Sequence, residues 1–166
     1  MTREIFMQNV LDCETTMYHI AKSILINEKD CEDAVQSTIL KGFEKLEGLK
    51  EERYFKTWLI RILLNECYSF KRREKPTEIY EEYFADTAAD SGFLEGRDYS
   101  PLYRAITELK PKIRIVIVLF YLEEYSLKEI KALLKIPEGT VKSRLAKGRS
   151  QLREALENQE VHYEQF

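Results

Sequence analysis

Hydrophobic positions recur along this chain at intervals of three and four, the period of a helix that buries one face. Ile5, Phe6, Val10, Met17, Ile20, Ala21, Ile24 and Leu25 form the first such run, and the spacing predicts a helix over residues 5–26. A polar break at Asn27–Lys29 follows. Asp30 is the expected cap of a second helix reaching about Leu46, because a short carboxylate accepts from orphan N–H groups and suits the positive end of the dipole. Ala34, Val35, Thr38, Phe43 and Leu46 are expected to pack inward, leaving Asp33, Gln36, Ser37 and Ile39 toward an outer side. After a charged loop, Gly48–Arg53, a third helix is expected over about Tyr54–Arg73. Its wheel puts Leu59, Ile60, Leu63, Cys67 and Phe70 on the core face and Trp58, Arg61, Asn65, Ser69 and Arg72 on the other.

Residues 76–98 lose this period. They are rich in Glu, Asp, Ala and Thr and read as an acidic linker, with a turn expected at Glu78–Phe84. Ser100–Pro101 looks like a helix start, giving a helix over about Pro101–Leu109, and Pro111 opens another over about Pro111–Glu123. The run Ile113–Leu122 is apolar nearly all round, so it is the expected core of a second domain.

Helix, break and helix follow over Ser126–Glu154. Ser126 and Glu129 have capping-box spacing. Ile130, Leu133 and Leu134 give the first helix an apolar face. Pro137 is expected to end it and to open the next. In that last helix Val141, Leu145 and Leu152 share a stripe with Gly148, while Ser143, Ala146, Lys147 and Ser150 lie opposite, flanked by Lys142, Arg149 and Arg153. The pattern as a whole predicts an all-α protein of two small helical domains joined by an acidic linker. The boundaries expected are 1–75, 76–98 for the linker, 99–157 and a tail 158–166.

Charge sharpens this picture. The net charge is −3, but residues 76–108 carry −6 and residues 109–155 carry +6. A basic block of that kind binds a polyanion even when the whole chain is acidic. Small and basic residues on the outer face of the last helix suit entry into a DNA major groove, since small side chains permit approach and long cations reach phosphates and guanine edges. A solvated basic face on an ordinary helical hairpin is the competing reading of that pattern alone. On the third helix an aromatic, an amide and arginines, closing in Lys71-Arg72-Arg73, suit unpaired nucleic acid, with the basic cluster holding phosphates. Against this stands the reading in which Trp58 is buried and the arginines are merely solvated.

Other chemistry is not written here. Cys13, Cys31 and Cys67 lack CxxC spacing, and His19 and His162 are the only histidines, so neither a zinc site nor any cofactor is expected. Free thiols fit a reducing cytosol. The N-terminus is too polar for a secretory signal, and no apolar run approaches the roughly 20 residues of a membrane span. A Gly-rich phosphate loop and a His/Cys pair are both missing, so an enzyme is not expected.

Two separated motifs carry a resemblance. DCEDAVQSTILKGFEKL with FKTWLIRILLNECYSFKRR lies in the first half, and LKPKIRIVIVLFYLEEYSLKEI with IPEGTVKSRLAKGRSQL in the second. Together, over about residues 10–75 and 100–156, the chain resembles the extracytoplasmic-function sigma factors of bacterial RNA polymerase. The resemblance implies a region 2 domain that holds the polymerase β′ clamp helices and opens the −10 element, a flexible linker, and a region 4 domain that reads the −35 element and docks on the β-flap. Carried over residue by residue, it implies clamp binding by Asp33, Gln36, Ser37, Ile39 and Phe43. It implies −10 reading by the loop Leu49–Phe55 with Trp58, Arg61, Asn65, Ser69, Arg72 and Arg73, and −35 reading by Lys142, Ser143, Arg144, Ala146 and Lys147.

It further implies that the polymerase supplies the phosphoryl chemistry, and that an anti-sigma factor covers these faces in a stress or envelope response. The acids Glu78, Glu81, Glu82, Asp86 and Asp90 are expected to occupy a nucleic-acid channel of the enzyme until RNA displaces them. The sequence departs from the family pattern at Ser37 and Ser69, where acids are common, at Lys131, where a small residue is usual, and at Lys135, where a turn glycine is common and a positive φ is expected. A plain DNA-binding regulator is the alternative; it leaves the D-A-x-Q helix without a task.

Overall fold

The computed structural model describes residues 1–74 and 100–164. The chain divides into two compact units, Met1–Thr77 and Glu78–Phe166. The turn expected at Glu78–Phe84 and the five linker acids lie outside the described residues. Among the described residues there are seven α-helices and no strand.

The first unit is a bundle of α1 (Arg3–Leu25), α2 (Glu28–Glu44) and α3 (Phe55–Glu74), each packed on the other two. Thr2 caps α1 by accepting from the Ile5 N–H. The turn into α2 is tighter than the sequence suggests. Ile26 takes φ 60°, and Asn27 rather than Asp30 caps α2, its carboxamide oxygen accepting from the Asp30 N–H at 3.1 Å. Asp30 sits in the first turn instead, where its charge still meets the positive dipole end.

Phe6 is at the centre of this core. Its ring meets Phe43 and Phe55 edge-on, at centroid distances of 5.5 and 5.6 Å. Gly42 allows α2 to approach, because a Cβ there would stand 3.0 Å from Leu59 Cδ1. Val10, Met17, Ile20, Ala21, Ile24 and Leu25 are buried as expected, and so are Ala34, Thr38, Leu59, Ile60, Leu63 and Cys67; Cys13 is buried with them. Ile5 is exposed, one residue off the stripe that Phe6 leads. Phe43 is also exposed, while Val35, Leu46 and Phe70 are half-buried. Lys71 is buried, so of the expected cationic trio only Arg72 and Arg73 face solvent. Glu66 is buried on α3 and accepts from the Lys41 ammonium of α2, which ties the two helices together.

The second unit contains α4 (Ser100–Glu108), α5 (Pro111–Ile117), α6 (Leu127–Leu134) and α7 (Glu138–Glu164). Pro111 opens α5 at a position where its missing N–H costs nothing. The helix then widens into a π turn over Val118–Leu122. Of the expected core run Ile113–Leu122, residues Ile113–Leu119 are buried, Phe120 and Leu122 are half-buried and Tyr121 is exposed, and Arg114 within the run is 1% exposed. Its guanidinium crosses to α4 and donates to the Thr107 carbonyl at 2.8 Å, one of the carbonyls a helix C-terminus leaves over. Burial lowers the Arg114 pKa to about 10. α4, α5 and α6 all pack on α7. The approach of α5 depends on Gly148, where a Cβ would lie 2.7 Å from two atoms of Ile117. α7 runs well past Glu154, the end the sequence suggests.

Candidate nucleic-acid interface

Local chemistry sets the helix pair α6–α7. Ser126 Oγ accepts from the Glu129 N–H at 3.1 Å, and the Glu129 carboxylate accepts from the Ser126 N–H at 3.4 Å, so the capping box is complete. α6 does not run to Pro137. It stops at Lys135, whose φ of 56° and ψ of 46° turn the chain left-handed and send its N–H back to the Lys131 carbonyl. Pro137 is not the first helical residue of α7 either. It stands just ahead of Glu138 and offers its carbonyl to the Thr140 and Val141 N–H groups at 3.0 and 3.1 Å.

Ile130, Leu133, Val141 and Leu145 are buried, so both helices present their opposite faces to solvent. On α7 the exposed residues include Lys142, Ser143, Ala146, Lys147, Arg149, Ser150 and Arg153, with Arg144 half-buried on the flank. Four of the five −35 residues implied by sequence are thus exposed on one helix. The Ser143 hydroxyl donates to the Thr140 carbonyl at 3.1 Å, which fixes its rotamer and leaves its oxygen an acceptor. Arg149 turns back to the π turn, donating to the Tyr121 hydroxyl at 3.1 Å.

In the first unit α3 lines up the second candidate face. Trp58 and Ser69 are half-buried, and Arg61, Asn65, Arg72 and Arg73 are exposed. The Trp58 ring tilts against buried Phe55 with centroids 5.9 Å apart, so the indole is anchored and still partly accessible. Neither extreme expected for Trp58, fully buried or free, is what occurs. Arg73 folds over the Phe70 ring at 5.3 Å and reaches the Ser69 oxygen at 3.4 Å. In the loop Leu49–Phe55, Phe55 belongs to the core. The accessible aromatic there is Tyr54, with the Arg53 guanidinium 4.7 Å from its ring centre and Arg53 also paired with Glu51 at 2.7 Å.

The outer side of α2 forms a third surface. Asp33 and Gln36 are exposed, Ser37 and Ile39 half-buried, and Phe43 is 43% exposed beneath the Arg3 guanidinium. Leu40, at 60% exposure, belongs with them, as its helical phase, in line with Gln36 and Asp33, indicates. Met7 and Leu11 are exposed on α1, in helical phase with Arg3, which reaches Phe43, and with Tyr18, whose hydroxyl donates to Glu28 at 2.8 Å.

The thiols are structural. Burial pushes Cys31 up to about 12 and raises Cys13 and Cys67 as well, so all three stay protonated and weakly nucleophilic. Among the described residues no group of three or more His, Cys, Asp or Glu side chains is arranged to hold a metal ion. No described helix is long and apolar enough to cross a membrane.

Comparison with known proteins gives these surfaces a setting. The family model for Sigma-70 region 2 matches residues 10–77, and that for Sigma-70, region 4, matches residues 99–152. The ECF RNA polymerase sigma factor SigW of Bacillus subtilis is 32% identical over 154 residues, covering 84% of this chain and 82% of that protein. The RNA polymerase sigma-E factor of Streptomyces avermitilis is 27% identical, covering 94% of this chain and 87% of its own. Among solved structures, the sigma factor RpoE, in complex with the anti-sigma factor NepR from Bartonella quintana, superposes with a TM-score of 0.72 at 26% identity. That match covers 93% of this chain and 98% of the other. Two matched sigma-70 regions in order along one chain, joined to this level of identity over most of its length, mean that the chain belongs to the ECF sigma factors of RNA polymerase.

Proposed function

We propose that this chain, docked on core RNA polymerase, grips a promoter in two places and so decides where transcription starts. The observation that carries the reading is the pairing of two surfaces in one chain: a capped helix pair with a basic outer face, and a helix that shows a half-buried Trp58 beside exposed arginines. In this reading α7 enters the major groove of the −35 element. Ser143 and Ala146 let the helix axis come close, while Lys142, Arg144 and Lys147 contact base edges and phosphates.

On α3, Trp58, Arg61, Asn65, Ser69, Arg72 and Arg73 hold the −10 element. Stacking on the indole and phosphate contacts offset the few kcal/mol needed to take a base out of the duplex. Asp33, Gln36, Ser37, Ile39 and Phe43 on α2 seat on the β′ clamp helices, and the second domain rests on the β-flap. The domain boundaries are 1–75, the linker 76–98, 99–157 and the tail 158–166. The chain acts in the cytoplasm and supplies no catalytic group; the polymerase performs the phosphoryl transfer. An anti-sigma factor silences it by covering exposed apolar positions such as Met7, Leu11, Leu40 and Phe43. The similar RpoE was solved with such a partner.

Run-off transcription tests this. Core polymerase with and without the chain is assayed on a pool of upstream fragments from the host genome. New discrete transcripts appearing only with the chain, and disappearing with Trp58→Ala or Arg144→Ala, are expected. If the chain binds DNA but adds no start site and does not associate stoichiometrically with core enzyme, the promoter reading is wrong and the plain regulator stands.

A further inference from the structure

The π turn that ends α5 carries an exposed aromatic to which neither the core nor the groove-reading face gives a task. Tyr121 is 47% exposed, yet its ring is braced edge-on by half-buried Phe120, with centroids 4.9 Å apart and planes at 86°. Its hydroxyl accepts from the Arg149 guanidinium of α7 at 3.1 Å, across 28 residues of sequence. Close packing makes that reach possible. One turn earlier on α5, Ile117 lies so near Gly148 that a Cβ there would stand 2.7 Å from it, and Arg149 is the next residue along α7. Arg149 is exposed, and it lies roughly two turns beyond Lys142 on the same flank of the helix, about 10 Å along the axis. Among the described residues no carboxylate pairs with it.

The two ends of this contact differ in stiffness. An arginine left to itself samples many rotamers and gives them up when it meets a ligand, which costs affinity. A tyrosine has few rotatable side-chain bonds, and this one is held further by Phe120 and by a backbone turn that belongs to the core helix. The restraint therefore runs from Tyr121 to Arg149. One guanidinium N–H goes to the tyrosine oxygen, and the remaining donors stay available on the α7 flank. We propose that Tyr121 is a positioning residue for promoter binding: it holds the Arg149 guanidinium ready on the flank of α7, so that a DNA contact forms there without first freezing a mobile side chain. The inference rests on the reading of α7 as the groove helix. It makes the π turn a part of the DNA-binding apparatus and not only a piece of packing.

The test is a double-mutant cycle in holoenzyme, read as affinity for an upstream fragment that yields a start site in the run-off pool. Tyr121→Phe removes the hydroxyl and keeps the ring. Releasing one side chain is expected to weaken binding about 2- to 10-fold. Arg149→Ala is expected to weaken it at least as much, and adding Tyr121→Phe to Arg149→Ala should cost nothing more, because the hydroxyl then has nothing to position. A merely structural hydroxyl would weaken binding equally in both backgrounds, and that result overturns the proposal. So does full affinity in Tyr121→Phe or in Arg149→Ala. Arg144→Ala, run in parallel, separates the two readings. If it weakens binding while Tyr121→Phe and Arg149→Ala do not, the groove reading of α7 stands and the positioning role falls. If it leaves affinity intact while the Tyr121 loss vanishes in Arg149→Ala, the groove reading fails and the positioning role survives.

Discussion

Gly148 is the position where one added methyl group has the most legible consequence. In Gly148→Ala the new Cβ would stand 2.7 Å from Ile117 Cγ1 and Cδ1 and 3.0 Å from Ile113 Cγ2. Carbon atoms in contact prefer about 3.5–4.0 Å, so roughly 1 Å must be recovered by movement. Neither isoleucine has room to give, since both are buried and sit on α5, the core helix of the second unit. Overpacking of this kind costs about 1–3 kcal/mol. The gain in helix propensity from Gly to Ala returns about 1 kcal/mol, so a net loss of about 1 kcal/mol remains, with about 2 as the upper expectation.

Gly139 supplies the control. It lies in the first turn of the same helix, and a Cβ there meets nothing within 4 Å, so Gly139→Ala should gain about 0.5 kcal/mol. A loss of 1 kcal/mol in a domain of this size lowers Tm by about 4–8 °C. Circular dichroism follows the helices of both units. The sole tryptophan, Trp58, reports the first unit by fluorescence and should melt unchanged in either variant. Equal stability of Gly148→Ala and Gly139→Ala would refute the argument that α5 and α7 meet at this glycine.

Three further outcomes follow from the same structure. Lys41→Met strands the buried Glu66 carboxylate and is expected to cost the first unit about 1–2 kcal/mol, discounted because Lys41 is partly exposed; Lys41→Met/Glu66→Leu should recover most of it in urea titrations. Burial raises all three thiol pKa values, so the folded chain keeps protons that the unfolded chain releases near 9, and stability is complete below pH 9 and falls as pH rises toward 12. A thiol reagent at pH 8 should therefore find no fast-reacting cysteine until denaturant is added, and Cys31→Ala should flatten the alkaline loss. Ser126→Ala removes the oxygen that accepts from the Glu129 N–H and should destabilise the second unit by about 1 kcal/mol, read as a fall in Tm with no change in the Trp58 signal.

Features written in adjacent residues were legible in the sequence. The Ser126–Glu129 cap needs only four residues and formed as read, and the apolar run of α5 announced a core. Features decided by another helix were not. Lys71 was counted with Arg72 and Arg73 as a charge cluster, yet its helical phase sets it beside Leu64 and Cys67 on the core side, and α3 buries it there. The buried role of Arg114 could not be read from its apolar run, because its partner, the Thr107 carbonyl, is seven residues away on another helix. Asp30 is the cap that residue type and position suggest, yet Asn27 takes the role. The choice fell to the turn at Ile26, which depends on how α1 meets α2. At the candidate interfaces the basic and small residues of α7 could be assigned from phase alone. Leu40 was assignable by the same phase rule, since it falls in line with Asp33 and Gln36, but its apolar side chain suggested burial; within the loop Leu49–Phe55, which of Tyr54 and Phe55 would be exposed depended on Phe6 across the core.

The bend at Lys135 sets steadiness against attraction. A glycine there would relieve about 1 kcal/mol of backbone strain at the corner between α6 and α7. The same substitution would delete one exposed cation, so ease of the backbone and surface charge pull in opposite directions at this one position.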